Sequence, residues 1–134
     1  MALPNFLICG APKCGTTALY EYLRSHPDVF MSRPKETFFF SDEFDRGVEW
    51  FRRHFEAHDG ETAIGEASTT TMYAPNAPSR IRQVLGCPKL IFCLRNPIER
   101  AYSEYFFKMA QGRISGDVTF EEVILHRKSL NLTE

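Results

Sequence analysis

The chain has 134 residues, 43% hydrophobic and 25% charged, an ordinary globular composition that suits one domain with a modest core and leaves little room for two. A formal net charge of -1 gives no general attraction to nucleic acid or to an anionic membrane, so any phosphate recognition must come from locally placed groups. No stretch approaches the roughly 20 apolar residues needed to cross a bilayer, and the amino terminus has no basic segment leading into an apolar one. The expectation is therefore a soluble, cytoplasmic chain with no nucleic-acid or membrane partner.

Phe6 to Cys9 is a short apolar run ending at Gly10, the pattern of a strand buried on both faces. A tight Gly/Pro/Thr loop follows. Ala18, Leu19, Tyr22 and Leu23 then recur at helical spacing until His26-Pro27, where the residue before proline resists a helical conformation. Val29 to Phe40 starts apolar and predicts a short strand, then an irregular loop through Ser32-Arg33-Pro34-Lys35-Glu36 and three phenylalanines.

Gly47 to Phe55 predicts a helix with Val48, Trp50, Phe51 and Phe55 as buried candidates, and Thr62 to Glu66 another short strand. Ala67 to Tyr73 is too rich in Ser and Thr to assign. Pro78 to Leu85 predicts a helix with proline near its first turn. Lys89 to Leu94 is a second strongly apolar strand, closed by the turn signal Arg95-Asn96-Pro97. A long helix comes next, with Tyr102, Tyr105, Phe106 and Met109 as its apolar stripe and Gly112 as its stop. Phe120 to Leu125 begins one more helix before a polar end.

Cys9, Cys14, Cys87 and Cys93 lack the paired spacing of a zinc site. Cys9 and Cys93 lie in apolar runs that read as buried strands, so reduced core thiols and no metal are expected. Hydrophobic strands alternating with amphipathic helices imply an α/β layer with a parallel sheet, active at the carboxyl ends of its strands. Only three or four strands are visible where a mean sheet has about 5 to 6. The expectation is a single domain over residues 1–134 that lacks its C-terminal part, with an unpaired sheet edge that lowers its stability.

Gly10-Ala11-Pro12-Lys13-Cys14-Gly15-Thr16-Thr17 lies between the first strand and first helix, where backbone N–H groups and the positive helix end converge on an anion. It is not a Walker A sequence, because threonine stands at position 16 where that motif needs lysine. Arg95 ends a strand with a guanidinium able to bind a phosphate through two hydrogen bonds, and Ser103 follows eight residues on, about two helical turns. Taken singly, each has a plainer reading: a turn, a surface ion pair, a solvated serine.

Together these segments resemble the sulfotransferase family. The run Phe6 to Leu23 resembles its 5'-phosphosulfate-binding segment, and Leu90 to Tyr105 its 3'-phosphate-binding segment, in the same order and each at a strand-to-helix turn. Arg33-Pro34-Lys35-Glu36-Thr37-Phe38-Phe39-Phe40 resembles the segment that carries a catalytic glutamate in the heparan-sulfate-like branch. The resemblance implies a P-loop-like three-layer α/β sandwich and 3'-phosphoadenosine 5'-phosphosulfate as co-substrate, with no metal. Lys13, Cys14, Gly15, Thr16, Thr17, Arg95 and Ser103 would bind the cofactor, and Lys13 would also stabilise the leaving charge. Glu36 would be the general base, its basicity raised by the aromatic run.

Lys35, Glu36 and Glu66 would meet an acceptor hydroxyl or amine, a carbohydrate among the candidates. Glu66 reads equally well as a structural strand-end carboxylate. Ala67 stands where the heparan-sulfate branch often has lysine, which weighs against heparan sulfate itself. His54 and His58 are weaker base candidates, in keeping with the histidine base of the cytosolic small-molecule sulfotransferases. Two alternatives stay open on the residues alone: a P-loop kinase or nucleotide hydrolase, and a catalytically silent nucleotide-binding fragment.

Overall fold

A computed structural model describes residues 2–125, which fall into two compact units divided between Leu94 and Arg95. The polar end that follows Leu125 lies outside the described residues.

In the first unit, strands β1 (Phe6–Gly10), β2 (Val29–Met31), β3 (Ala63–Ala67) and β4 (Lys89–Phe92) form one parallel sheet in the order β2-β3-β1-β4. Every residue of β1 is buried, so its alternating side chains feed two cores. Leu7 and Cys9 join Phe30, Phe39, Phe51, Phe55, Ile64 and Ile81 on one face. Phe6 and Ile8 join Tyr20, Met31 and Ala67 on the other. The helices divide accordingly. Helix α1 (Thr16–Arg24) supplies Tyr20 to the second core, while α2 (Val48–Arg52) and α3 (Ala77–Leu85) supply Phe51, Ala77 and Ile81 to the first. This is the three-layer α/β arrangement that the sequence implies.

Three local details differ from the sequence pattern. Helix α1 starts at Thr16 and turns Tyr22 outward, 76% exposed, because the Tyr20 hydroxyl donates to the Ser32 carbonyl at 2.8 Å and fixes which face is buried. Val48 and Trp50 are only half-buried, and Phe51 and Phe55 fill the core. The largest correction concerns β4. Its apolar run is not buried: Leu90, Phe92 and Leu94 are 47%, 49% and 74% exposed. The strand lies at the sheet edge and pairs only with β1 among the described residues. Cys93 is accordingly half-buried where Cys9 is buried. Beside β4, an apolar groove of about 330 Å³ is lined by Cys9, Met72, Ile81, Leu90 and Phe92.

The second unit holds α4 (Pro97–Ala110) and α5 (Phe120–Ile124). The Asn96 side chain accepts from the Ile98 and Glu99 amides and Pro97 opens the first turn, which together start α4. Gly112, at φ 72°, stops it: its amide donates to the Met109 carbonyl and the Arg113 amide to the Lys108 carbonyl, the paired bonds of a Schellman ending. Of the expected apolar stripe, Tyr105 is buried and its hydroxyl donates to the Val118 carbonyl at 2.6 Å, while Tyr102 and Phe106 stay half exposed. Thr119 and Glu122 form a capping box that opens α5.

Gly65, at the centre of the sheet, has no room for a side chain. A Cβ there would come 2.2 Å from the Phe6 ring and 2.5 Å from the Met31 sulfur. Overpacking of this kind costs typically about 1–3 kcal/mol, so Gly65→Ala is expected to lower the urea midpoint with an unchanged slope. A midpoint equal to wild type contradicts this packing.

Candidate functional site

Strand β1 ends at Gly10, where the chain is pinned on both sides. The Ala11 amide donates to the Cys93 carbonyl at 2.9 Å and the Cys93 amide to the Gly10 carbonyl at 2.7 Å. Gly10 has φ +137°, and a Cβ on it would meet the Thr69 carbonyl oxygen at 2.8 Å. Glycine is required on both counts. The loop then reaches Gly15, a left-handed residue at φ 86° that serves as the N-cap of α1. With no side chain to offer and no acidic residue in the first turn, the helix start leaves its amides and positive dipole end available to an anion. Lys13 also has left-handed backbone, φ 64°. Lys13 and Cys14 are half-buried, Gly15 and Thr17 exposed, and Thr16 is 4% exposed. The donor set fits a phosphate.

The segment after β2 is attached to β3 through its backbone. The Ser32 amide donates to the Gly65 carbonyl and the Glu36 amide to the Ala67 carbonyl, both at 2.9 Å. Glu36 and Phe38 have φ 65° and 54°, a conformation that costs on the order of 1–3 kcal/mol per non-glycine residue and collects at functional sites. The Glu36 carboxylate pairs with the Lys35 ammonium at 2.9 Å and accepts from the Thr69 amide at 3.3 Å and the Thr69 hydroxyl at 3.0 Å. Its side chain keeps 23% of its surface exposed. Two rings of the aromatic run that the sequence places beside it turn to the core instead. Phe39 stacks on Phe51 at 4.2 Å and Phe40 meets the same ring edge-on at 5.3 Å, both within the core. The polar partners of the Glu36 carboxylate are the Lys35 ammonium and Thr69.

Thr69 therefore serves two neighbours. Its carbonyl abuts Gly10 at the head of the phosphate loop, and its amide and hydroxyl hold Glu36. The sequence reading missed it, along with Thr37 and Ser68. The signal was the density of hydroxyl residues in 67–73, which folds as a 3-10 turn over Thr69–Met72 with Ser68, Thr69 and Thr71 buried.

Glu66, 1% exposed, lies beneath this turn. Its Oε1 accepts from the Thr37 amide at 3.3 Å, the Thr37 hydroxyl at 2.8 Å and the Ser68 hydroxyl. Burial pushes its carboxyl up from the ordinary range; the Ser68 and Thr37 bonds oppose this, and the Glu36 charge adds to it. The same burial, with Glu66 nearby, pushes the Cys9 thiol up to about 12. Of the two roles open to Glu66 in the sequence, this geometry carries the structural one, because no surface is left for an acceptor.

In the second unit, the Arg95 guanidinium pairs with Glu99 at 3.0 Å, with 43% of its side chain exposed. Ser103 is half-buried on α4. The histidines are engaged elsewhere. His54 Nδ1 donates to the Arg33 carbonyl at 3.0 Å and His58 Nε2 to the Glu61 carbonyl at 2.8 Å. A carbonyl only accepts, so both of these ring nitrogens carry protons.

The upward shift of the Glu66 pKa makes stability depend on pH. The folded chain holds a proton that the unfolded chain releases from about pH 4.3 upward, so stabilisation is complete below that pH and is lost as pH rises through the folded value. Glu66→Gln, neutral throughout, removes the term. Denaturation curves are expected to show wild type declining relative to Glu66→Gln as pH rises above about 4.3; a constant difference contradicts the assignment.

Comparison with known proteins agrees with the geometry. The family described as Sulfotransferase domain matches residues 3–132. The chain is 38% identical over 112 residues to the membrane-associated sulfotransferase kil1 of Dictyostelium discoideum, covering 81% of this chain and 24% of that protein. It is 40% identical over 103 residues to heparan sulfate glucosamine 3-O-sulfotransferase 6 of Mus musculus, covering 76% of this chain and 30% of that protein. The crystal structure of a sulfotransferase from Alicyclobacillus acidocaldarius superposes with a TM-score of 0.83 at 34% identity, covering 93% of this chain and 57% of that one. The chain thus spans less than a third of these curated relatives' lengths. With a family match across nearly its whole length, the chain belongs to the sulfotransferase family.

Proposed function

We propose that this chain supplies the donor site and the base of an enzyme that moves a sulfuryl group from 3'-phosphoadenosine 5'-phosphosulfate to an acceptor hydroxyl or amine. The observation that carries the reading is the double role of Thr69, which joins the phosphate loop at Gly10 to the carboxylate of Glu36. Donor and base are then neighbours by construction. The alternative of a P-loop kinase or nucleotide hydrolase gains no support from any match, and Thr16 stands where its lysine belongs.

The residues divide the work. The loop amides, with Cys14, Gly15, Thr16 and Thr17, hold the 5'-phosphate. Glu36 takes the proton of the acceptor as its oxygen or nitrogen bonds to sulfur. Lys13 meets the electron pair released onto the 5'-phosphate oxygen when the sulfur–oxygen bond opens, and stabilises that charge. Arg95 and Ser103 take the 3'-phosphate, for which Arg95 exchanges a surface partner, Glu99, that contributes little. Lys35 flanks Glu36 on the acceptor side. No step in this account requires a metal.

The names of the relatives favour a carbohydrate acceptor, and Ala67 in place of the lysine common in the heparan-sulfate branch favours one other than heparan sulfate. A cytoplasmic setting, in keeping with four free cysteines, belongs to the same proposal.

Calorimetric titration at one fixed salt concentration tests the donor. Charge-assisted bonds contribute about 1.5–3 kcal/mol each, so 3'-phosphoadenosine 5'-phosphate is expected to bind at least roughly tenfold more tightly than AMP. Arg95→Ala should erase that preference, while Lys13→Ala weakens both nucleotides together. Equal affinities in wild type, or a preference for ATP with magnesium, overturn the reading.

The base is tested by turnover. Glu36→Gln is expected to lower kcat by about 10²–10⁴-fold with nucleotide affinity unchanged. A rate within a few-fold of wild type removes Glu36 as the base.

A further inference from the structure

Four successive amides follow the Lys35 side chain, and none of them pairs in a regular strand. The Glu36 amide goes to the Ala67 carbonyl, the Thr37 amide to Glu66 Oε1, the Phe38 amide to Ser68 Oγ at 2.9 Å, and the Phe39 amide to Thr37 Oγ1 at 3.3 Å. Three consecutive residues, Glu66, Ala67 and Ser68, thus receive three consecutive amides.

The two hydroxyls in this set have their protons committed. Thr37 Oγ1 and Ser68 Oγ both donate to Glu66 Oε1, and each thereby turns a lone pair toward a backbone amide. A single buried carboxyl oxygen orients both. Without it the hydroxyls are free to rotate, and the Phe38 and Phe39 amides lose defined acceptors in a segment whose Thr37 and Phe39 are buried. Glu36 and Phe38, the two residues of this segment in left-handed backbone, are held on either side of Thr37.

The geometry points to Glu66 as a positioning residue for the base: a buried carboxyl that fixes the backbone on which Glu36 is presented, without touching donor or acceptor. This rests on the assignment of Glu36 as the base and adds the residue that sets its aim. Glu66 needs only to accept hydrogen bonds, whereas Glu36 has to accept a proton. The two carboxylates therefore respond differently to the same replacement. The upward shift of the Glu66 carboxyl fits a group whose neutral form is tolerated.

The test compares Glu66→Gln, Glu66→Ala, Ser68→Ala and Glu36→Gln in the full-length protein, reading kcat, acceptor KM and affinity for 3'-phosphoadenosine 5'-phosphate. Displacing a catalytic group by about 1 Å can cost about 10²-fold in rate. Glu66→Ala is expected to lower kcat by at least about tenfold with nucleotide affinity within about twofold. Glu66→Gln keeps the acceptor oxygen and should restore kcat to within a few-fold, while Glu36→Gln stays inactive. Ser68→Ala, which removes one arm of the network, should lower kcat in the same sense and serves if Glu66→Ala does not fold.

Unchanged kcat in Glu66→Ala, or in Ser68→Ala where the former does not fold, overturns the proposal. So does a Glu66→Gln as inactive as Glu36→Gln, which makes Glu66 a proton-transfer group, or a change in acceptor KM alone, which makes it an acceptor contact. In all these outcomes Glu36→Gln remains inactive and the base assignment stands. An active Glu36→Gln removes the base assignment and the role of Glu66 with it.

Discussion

The end of the first strand touches the carbonyl of Thr69, and that contact is possible only because residue 10 has no side chain. Everything at the site follows from it. The turn after β3 closes onto the head of the phosphate loop, and the same turn extends its Thr69 amide and hydroxyl to Glu36. A larger residue at position 10 would push the turn away and separate the loop from the carboxylate. The constraint is steric, and its effect is electrostatic: it keeps a carboxylate beside a loop suited to an anion, with the Lys35 ammonium at 2.9 Å from it.

The sheet supports this contact unevenly. β1 and β3 are buried and pair along their lengths, so the ends of both strands are fixed. Among the described residues β4 pairs with β1 alone and is exposed, yet its continuation at Cys93 still bonds Gly10 and Ala11. The head of the loop is thus held from two directions, by Cys93 and by Thr69. The loop itself carries two left-handed residues, Gly15, which adopts that backbone freely, and Lys13, for which local backbone preference gives no support.

Much of this was legible in the residues. The alternation of short apolar runs with helical spacing gave the order of elements, and the loop at Gly10 to Thr17 was readable as an anion site from its place between strand and helix. Glu36 was found by resemblance. The environment of Glu36 was not legible, because three phenylalanines in a row carry no sign of where their rings point; Phe39 and Phe40 go to Phe51. The exposure of β4 was hidden for a similar reason. An apolar run states how a strand would be buried, while the sheet order decides whether anything lies there to bury it. Thr37, Ser68 and Thr69 escaped notice because hydroxyl residues in a short segment fit turns, caps and loops alike.

Two glutamates thirty residues apart illustrate how one side chain is put to different uses. Glu36 keeps contact with solvent, shares its charge with a lysine and a threonine, and so remains reachable by a third group. Glu66 is sealed, and the groups around its Oε1 are donors of fixed direction that a carboxyl oxygen collects. Exchanging their environments would exchange their uses: a buried Glu36 could not meet an acceptor, and an exposed Glu66 would trade its hydroxyls for water and release the backbone they organise. The chemistry of the site therefore depends on depth as much as on residue type. The register between β1 and β3 places Glu66 opposite Leu7, on the face that carries the Leu7 core, whereas Glu36 lies outside both strands on a segment bonded to the Ala67 carbonyl.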